Sequence, residues 1–73
     1  MKILMTRIDK DRNMKRFYAL ELQPDMLGYW HCTRRWGRIG SKGKRLDAVF
    51  SSQTKAAQEI DKWYLEKRRR GYC

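Results

Sequence analysis

The spacing of apolar residues changes once along this chain, and the change restricts the folds that the chain can adopt. Up to Phe50, short segments show a loose alternation of apolar or aromatic residues with other residues, which is the period of a half-buried β-strand. Beyond Ser52, the apolar residues recur at helical spacing and form one stripe: Ala56, Ala57, Ile60, Trp63 and Tyr64. A chain of 73 residues has room for only one domain. We therefore predict a single domain over residues 1–73.

Four segments before Phe50 have the pattern of strands, and they cover residues 3–8, 16–23, 29–36 and 44–50. In the first, Leu4, Thr6 and Ile8 share a face. Polar or glycine-containing turns separate the four segments. Ser51 or Ser52 is a suitable N-cap for a helix that runs to about Arg70 and ends at Gly71. The predicted fold class is α+β: an antiparallel meander of about four strands, with one C-terminal amphipathic helix packed across one face.

The charge of the chain predicts a polyanionic partner. Eighteen Lys and Arg residues against eight Asp and Glu residues give a net charge of +10. Nucleic acid is the commonest partner for such an excess, followed by an anionic membrane surface or an acidic protein. No run approaches the roughly 20 apolar residues of a membrane span, so we expect no membrane association through such a segment.

No group of residues suggests catalysis or a metal site. His31 has no neighbouring nucleophile or paired carboxylates, and the chain lacks the phosphate-loop and zinc-protease motifs. Two cysteines and one histidine are too few for a structural zinc site, so no metal and no cofactor are predicted. Cys32 is expected to be a small core residue and Cys73 a free, mobile thiol. This cysteine usage is typical of a reducing cytoplasm.

Basic residues concentrate between positions 34 and 45, where no acidic residue occurs. Trp36 and three glycines lie among them, and the basic residues are Arg34, Arg35, Arg38, Lys42, Lys44 and Arg45. Arginine forks, exposed backbone N–H groups and an indole together suit phosphates and bases. The alternatives are a solvated basic turn, a core role for Trp36 beside Trp30, and a role for Arg38 as a brace of the turn. The three arginines 68–70 are either a solvated helix end or auxiliary phosphate contacts.

Several motifs occur together in an ordered set. They are Asn13 to Leu22, the aromatic pair Tyr29-Trp30, the run Arg35-Trp36-Gly37-Arg38-Ile39-Gly40, and a closing set of Phe50, Ser52, Ala57, Trp63, Glu66-Lys67 and Gly71-Tyr72. In these the sequence resembles the WGR domain, a module of DNA-damage-dependent poly(ADP-ribose) polymerases and of bacterial proteins. Two departures are an extra residue between Asn13 and Phe17 and the basic run 68–70.

The resemblance implies a role for particular residues. By analogy with the polymerases, Trp36 would pack against a terminal nucleotide, and Arg35, Asn13 and Lys15 would surround its 5′ phosphate. The Arg of the motif partly contacts neighbouring domains in those enzymes, so for Arg38 the resemblance leaves both a phosphate and a separate protein open. The polymerase activity belongs to another domain and is not implied.

The sequence therefore predicts a non-enzymatic, monomeric, cytoplasmic domain that binds nucleic acid. DNA with little sequence preference, and DNA ends or breaks in particular, is the leading ligand. The alternatives are RNA and an acidic protein partner.

Overall fold

The computed structural model describes residues 1–73 as one antiparallel sheet followed by one helix. The strands are β1 (Lys2–Asp9), β2 (Met14–Pro24), β3 (Trp30–Arg38) and β4 (Lys44–Phe50), paired in the order β1-β2-β3-β4. The helix α1 (Gln53–Arg69) lies across one face of the sheet, against β2, β3 and β4. The predicted α+β meander with a C-terminal helix is confirmed.

Strand β3 is longer than the sequence predicts. Gly37 and Arg38, expected to begin a loop, continue the strand and pair with Phe17 and Arg16 of β2. Both partners lie within the predicted second strand, so the backbone groups of Gly37 and Arg38 can be satisfied by continuing the ladder. Strand β2 also begins two residues earlier than expected, at Met14. The Trp-Gly-Arg motif is therefore the end of a strand, and the loop begins at Ile39.

A small core fills the space between α1 and the sheet. Leu20, Cys32 and Ile60 are fully buried at its centre, and the other members are Met5, Tyr18, Leu22, Ala56, Trp63 and Tyr72. The prediction for Cys32 is confirmed, and its thiol donates to the carbonyl oxygen of Ala56 at 3.6 Å. Burial raises the pKa of this thiol.

No helix of the molecule has both the length and the apolar composition needed to span a membrane.

The face of β1 that packs on the core is the one that carries Met5. Leu4, Thr6 and Ile8 do share a face, but Leu4 and Ile8 are exposed, and Met5 is buried instead. The register explains this, because Met5 pairs with Tyr18 and so lies on the side of β2 that α1 covers. Leu4, Thr6 and Ile8 therefore lie on the face of the sheet that α1 does not cover.

Both ends of α1 are closed by local hydrogen bonds. The Ser52 hydroxyl accepts from the Lys55 N–H at 3.2 Å, which confirms one of the two predicted N-caps. At the other end Gly71 has φ +94°, and the Tyr72 N–H returns to the Lys67 carbonyl at 3.0 Å. The chain then exchanges two backbone hydrogen bonds between Cys73 and Thr6 of β1. Cys73 is a free, exposed thiol, as expected, and its backbone is hydrogen-bonded to β1.

Candidate nucleic-acid interface

A cleft opens where α1 ends and strands β2 and β3 continue beyond it. Its volume is about 570 Å³. Five of its ten lining residues are basic and none is acidic: Arg12, Asn13, Met14, Lys15, Arg16, Trp36, Gly37, Arg38, Lys67 and Tyr72. One carboxylate lies nearby, since Asp9 is 3.7 Å from the Arg12 guanidinium. Such a cleft attracts anions.

Arg38 joins the two sequence segments that form the cleft. Its guanidinium donates to the carbonyl oxygen of Asn13 at 3.4 Å, and the next residue, Ile39, donates its N–H to Lys15 at 2.9 Å. Asn13 has a left-handed backbone with φ +51°, as a turn-forming Asn tolerates. Arg38 thus braces the turn with one donor and retains four further N–H donors along the cleft.

Aromatic side chains form the inner wall of the cleft. Trp36 is half-buried, with its ring centroid 6.3 Å from that of Tyr18, and it also lines the cleft. The Tyr72 ring meets Tyr18 edge-on at 6.2 Å. One side of Trp36 therefore packs on the core and the rest borders the cleft, and its role in binding stays a prediction.

Lys67 brings a cation from the last turn of α1 into this wall. Its ammonium lies 4.7 Å from the Tyr18 ring centroid and 5.4 Å from that of Tyr72. Burial lowers the pKa of Lys67, and the positive charges of Arg70, Arg34 and Arg16 lower it further against the opposing effect of Glu66. An anion entering the cleft would relieve this repulsion.

The Arg34 side chain packs against aromatic rings of the fold. Its guanidinium carbon lies 4.4 Å from the Trp63 ring centroid and 5.9 Å from that of Trp36. Its Nε is buried and has no hydrogen-bond partner. Arg34 therefore packs between helix and sheet and does not line the cleft.

Two glycines bring the β3–β4 loop against the motif. A Cβ on Gly37 would lie 2.8 Å from the Gly43 Cα, and a Cβ on Gly43 would lie 2.3 Å from the Trp36 carbonyl oxygen. Only glycine permits this approach. Lys42 and Lys44, on and just after this loop, are exposed and do not line the cleft.

Arg35 and Arg45 lie on the opposite face of the sheet. The two residues pair across β3 and β4. Arg45 is held by Asp47 at 3.1 Å, whereas Arg35 extends over the Phe17 ring at 5.8 Å. The structure therefore divides the predicted residues: Trp36, Arg38, Asn13 and Lys15 share the cleft, and Arg34, Arg35, Lys42, Lys44 and Arg45 lie outside it.

Sequence reasoning did not assign five of the lining residues: Arg12, Met14, Arg16, Lys67 and Tyr72. The sequence did indicate Arg16, because alternation along the second strand places Arg16 on the same face as Tyr18. In the structure Arg16 also pairs with Arg38 of β3. For Lys67 and Tyr72 the only signal was their place in the closing motif set, which does not indicate a position in the cleft, because that position depends on where α1 crosses the sheet. The arginines 68–70 lie outside the cleft, and Arg70 is paired with Glu66 at 3.2 Å.

Outside the cleft, the main contact between polar side chains that the sequence analysis considered is that of His31 with Asp25. His31 Nε2 lies 2.7 Å from Oδ2 of Asp25, and Oδ1 of the same carboxylate accepts from the backbone N–H groups of Leu27 and Tyr29. These bonds lower the pKa of Asp25, the His31 contact most. No three His, Cys, Asp or Glu side chains come close enough to hold a metal ion.

Comparison with known proteins identifies the family. The WGR domain, a non-catalytic module, matches residues 1–73. An uncharacterized protein of Sinorhizobium fredii, y4dW, is 35% identical over 71 residues, covering 97% of this chain and 35% of that protein. The human protein mono-ADP-ribosyltransferase PARP3 is 27% identical over 63 residues, covering 86% of this chain and 12% of that enzyme. The chain thus spans only a minor part of these relatives, and the match over its whole length shows that it belongs to the WGR domain family.

Proposed function

We propose that this domain binds DNA without catalysing a reaction, and that it holds a terminal phosphate of a DNA end in the cleft. The observation that carries the proposal is the lining of the cleft: five cations, no carboxylate and an indole. Phosphate oxygens accept from guanidinium forks, and an indole offers a flat surface to a base or sugar. Membership of a family that also occurs in a human ADP-ribosyltransferase is consistent with this function.

The cleft suits an end better than a continuous duplex. Trp36, Tyr72 and Lys67 line it together and each contacts Tyr18, so an indole face and a cation are available at the same place. A terminal nucleotide leaves one base-pair face unstacked, and Trp36 would cover that face. Arg16, Arg38 and Lys67 would then hold the phosphate, with Lys15 and Asn13 at the rim.

The test is fluorescence anisotropy of short labelled duplexes that carry either a 5′ phosphate or a 5′ hydroxyl, with closed circular DNA as competitor. We expect tighter binding to the phosphorylated end and weak competition by circles. Arg16→Ala should lower this affinity, because Arg16 is exposed and lines the cleft. Arg68→Ala is the matched control, since it removes the same charge from an exposed site outside the cleft.

Three other outcomes would change the assignment. Salt-sensitive binding that ignores the phosphate and the end would leave a general DNA-binding domain. Tighter binding of single-stranded RNA in a parallel titration would replace DNA with RNA. Absence of binding to either nucleic acid at moderate salt would favour an acidic protein partner, since carboxylates pair with the same cations.

We further propose that the domain is monomeric and acts in a reducing cytoplasm. Cys32 is buried and Cys73 is exposed, and both are free thiols. Analytical ultracentrifugation in the presence of reductant tests the monomeric state, because reductant removes any dimer joined by a disulfide through Cys73. Cell fractionation tests the compartment.

A further inference from the structure

The face of the sheet that α1 leaves open carries two adjoining hollows. They share Leu4, Phe17 and Arg35, and their volumes are about 330 and 290 Å³. The second also includes Ile39, which is 43% exposed, and Leu4 is 69% exposed. Both hollows therefore offer partly apolar surface beside the Phe17 side chain.

This face is also positively charged. Strand alternation places Lys2, Arg35 and Arg45 on it, against Glu21 and Asp47, and Lys15 near the start of β2 belongs to this face as well as to the lining of the cleft. Arg45 is neutralised by Asp47, but Arg35 has no carboxylate partner and rests on the Phe17 ring at 5.8 Å. An unpaired guanidinium on a half-buried aromatic ring, beside aliphatic side chains, is suited to a ligand with flat bases and a phosphate backbone.

The open face and the cleft meet at the end of β3. Arg38 lines the cleft, and the next residue, Ile39, lines the hollow on the other side. The molecule measures only 15 Å along its shortest axis. A strand that leaves the cleft therefore has to pass only around the end of β3 to reach Arg35.

We propose that the open sheet face binds a single-stranded extension of the DNA whose end lies in the cleft, with a base against Phe17 and Arg35. The proposal rests on the proposed function, because the cleft must first hold the end. A 3′ extension fits best, since it leaves the recessed 5′ phosphate at the junction for the cleft. Charge continuity across both surfaces favours one nucleic acid over a second, protein ligand on this face.

The experiment compares a blunt 5′-phosphorylated duplex with the same duplex carrying a short 3′ oligothymidine extension. For the wild-type protein we expect the extended duplex to bind about fivefold tighter, the lower end of the contribution of one stacked base. For Arg35→Ala the ratio of the two affinities should fall to about one, while binding of the blunt duplex changes little beyond the loss of one charge. Arg68→Ala removes the same charge elsewhere and should keep the fivefold ratio.

The outcomes separate the two proposals. If the blunt duplex binds and the extension adds nothing, the sheet-face proposal is wrong and the cleft proposal stands. If Arg35→Ala weakens both duplexes equally, Arg35 acts through general charge and the sheet-face proposal is also wrong. If neither duplex binds, both proposals fail. Phe17→Leu provides a second variant, which keeps an apolar side chain in the sheet while removing the ring, and it should reduce the ratio as well.

Discussion

Trp36 combines a packing role with a surface role, and substitutions can separate the two. Trp36→Ala removes contacts with Tyr18 and Arg34, so we expect the free energy of unfolding to fall by about 2 kcal/mol, less than for a fully buried Trp. Loss of stacking should weaken binding of a DNA end at least about fivefold. Urea unfolding and anisotropy measure the two effects. Trp36→Phe should recover most of the stability, and an unchanged affinity in folded Trp36→Ala would exclude a stacking role.

Lys67 should make binding sensitive to alkaline pH. Because a phosphate favours the charged ammonium, affinity is lost as the pH rises through the pKa of Lys67, and that pKa is lowered by burial and by Arg70, Arg34 and Arg16. The decline should therefore begin at a lower pH than for an ordinary lysine. Arginine stays protonated, so Lys67→Arg should keep its affinity at alkaline pH. Lys15→Arg is the control within the same cleft, and it should leave the decline in place.

At the scale of elements, the β3–β4 loop depends on Gly43 for both its backbone and its packing. Gly43→Ala would place a Cβ at φ +71°, 2.3 Å from the Trp36 carbonyl oxygen, so the loop must move. Gly40→Ala has a comparable φ of +95° with open space around the new Cβ. We expect a loss of about 1 kcal/mol for Gly40→Ala and clearly more for Gly43→Ala. Equal losses in urea unfolding would mean that the close approach is unimportant.

The sequence predicted the elements better than their faces and ends. Period-two alternation located the four strands, and the helical spacing of the apolar stripe after Ser51 or Ser52 located the helix, because these are local signals. Strand β1 was ambiguous, since Leu4 and Met5 are both apolar and only pairing with Tyr18 selects Met5 for the core. The same limit applies to the cleft. The motif identified Trp36 and Arg38, but the position of Lys67 depends on the crossing of α1 over the sheet.

The C-terminal tail links the helix to the far edge of the sheet. Tyr72 is buried against Tyr18, and Cys73 exchanges two backbone hydrogen bonds with Thr6. Tyr72→Ala should lower the free energy of unfolding by about 3 kcal/mol, because a buried aromatic ring leaves a cavity. Tyr72→Phe should be nearly neutral in urea unfolding. A large loss for Tyr72→Phe would mean that the hydroxyl, and not the ring, is the stabilising group.

For the whole molecule, the dependence of binding on salt distinguishes a localised site from general charge. The logarithm of the binding constant falls with the logarithm of salt concentration at about −0.9 per neutralised phosphate. If all ten excess charges acted, the slope would be about −9. The cleft holds five cations, of which Arg12 is near Asp9, so at most four of them are free to pair with phosphates and the slope should be no steeper than about −3.6. Arg16→Ala should make the slope less steep by about one, and Arg68→Ala should leave it unchanged. A steep slope that both variants reduce equally would mean that the whole basic surface binds, and it would remove the reason to assign the phosphate to the cleft.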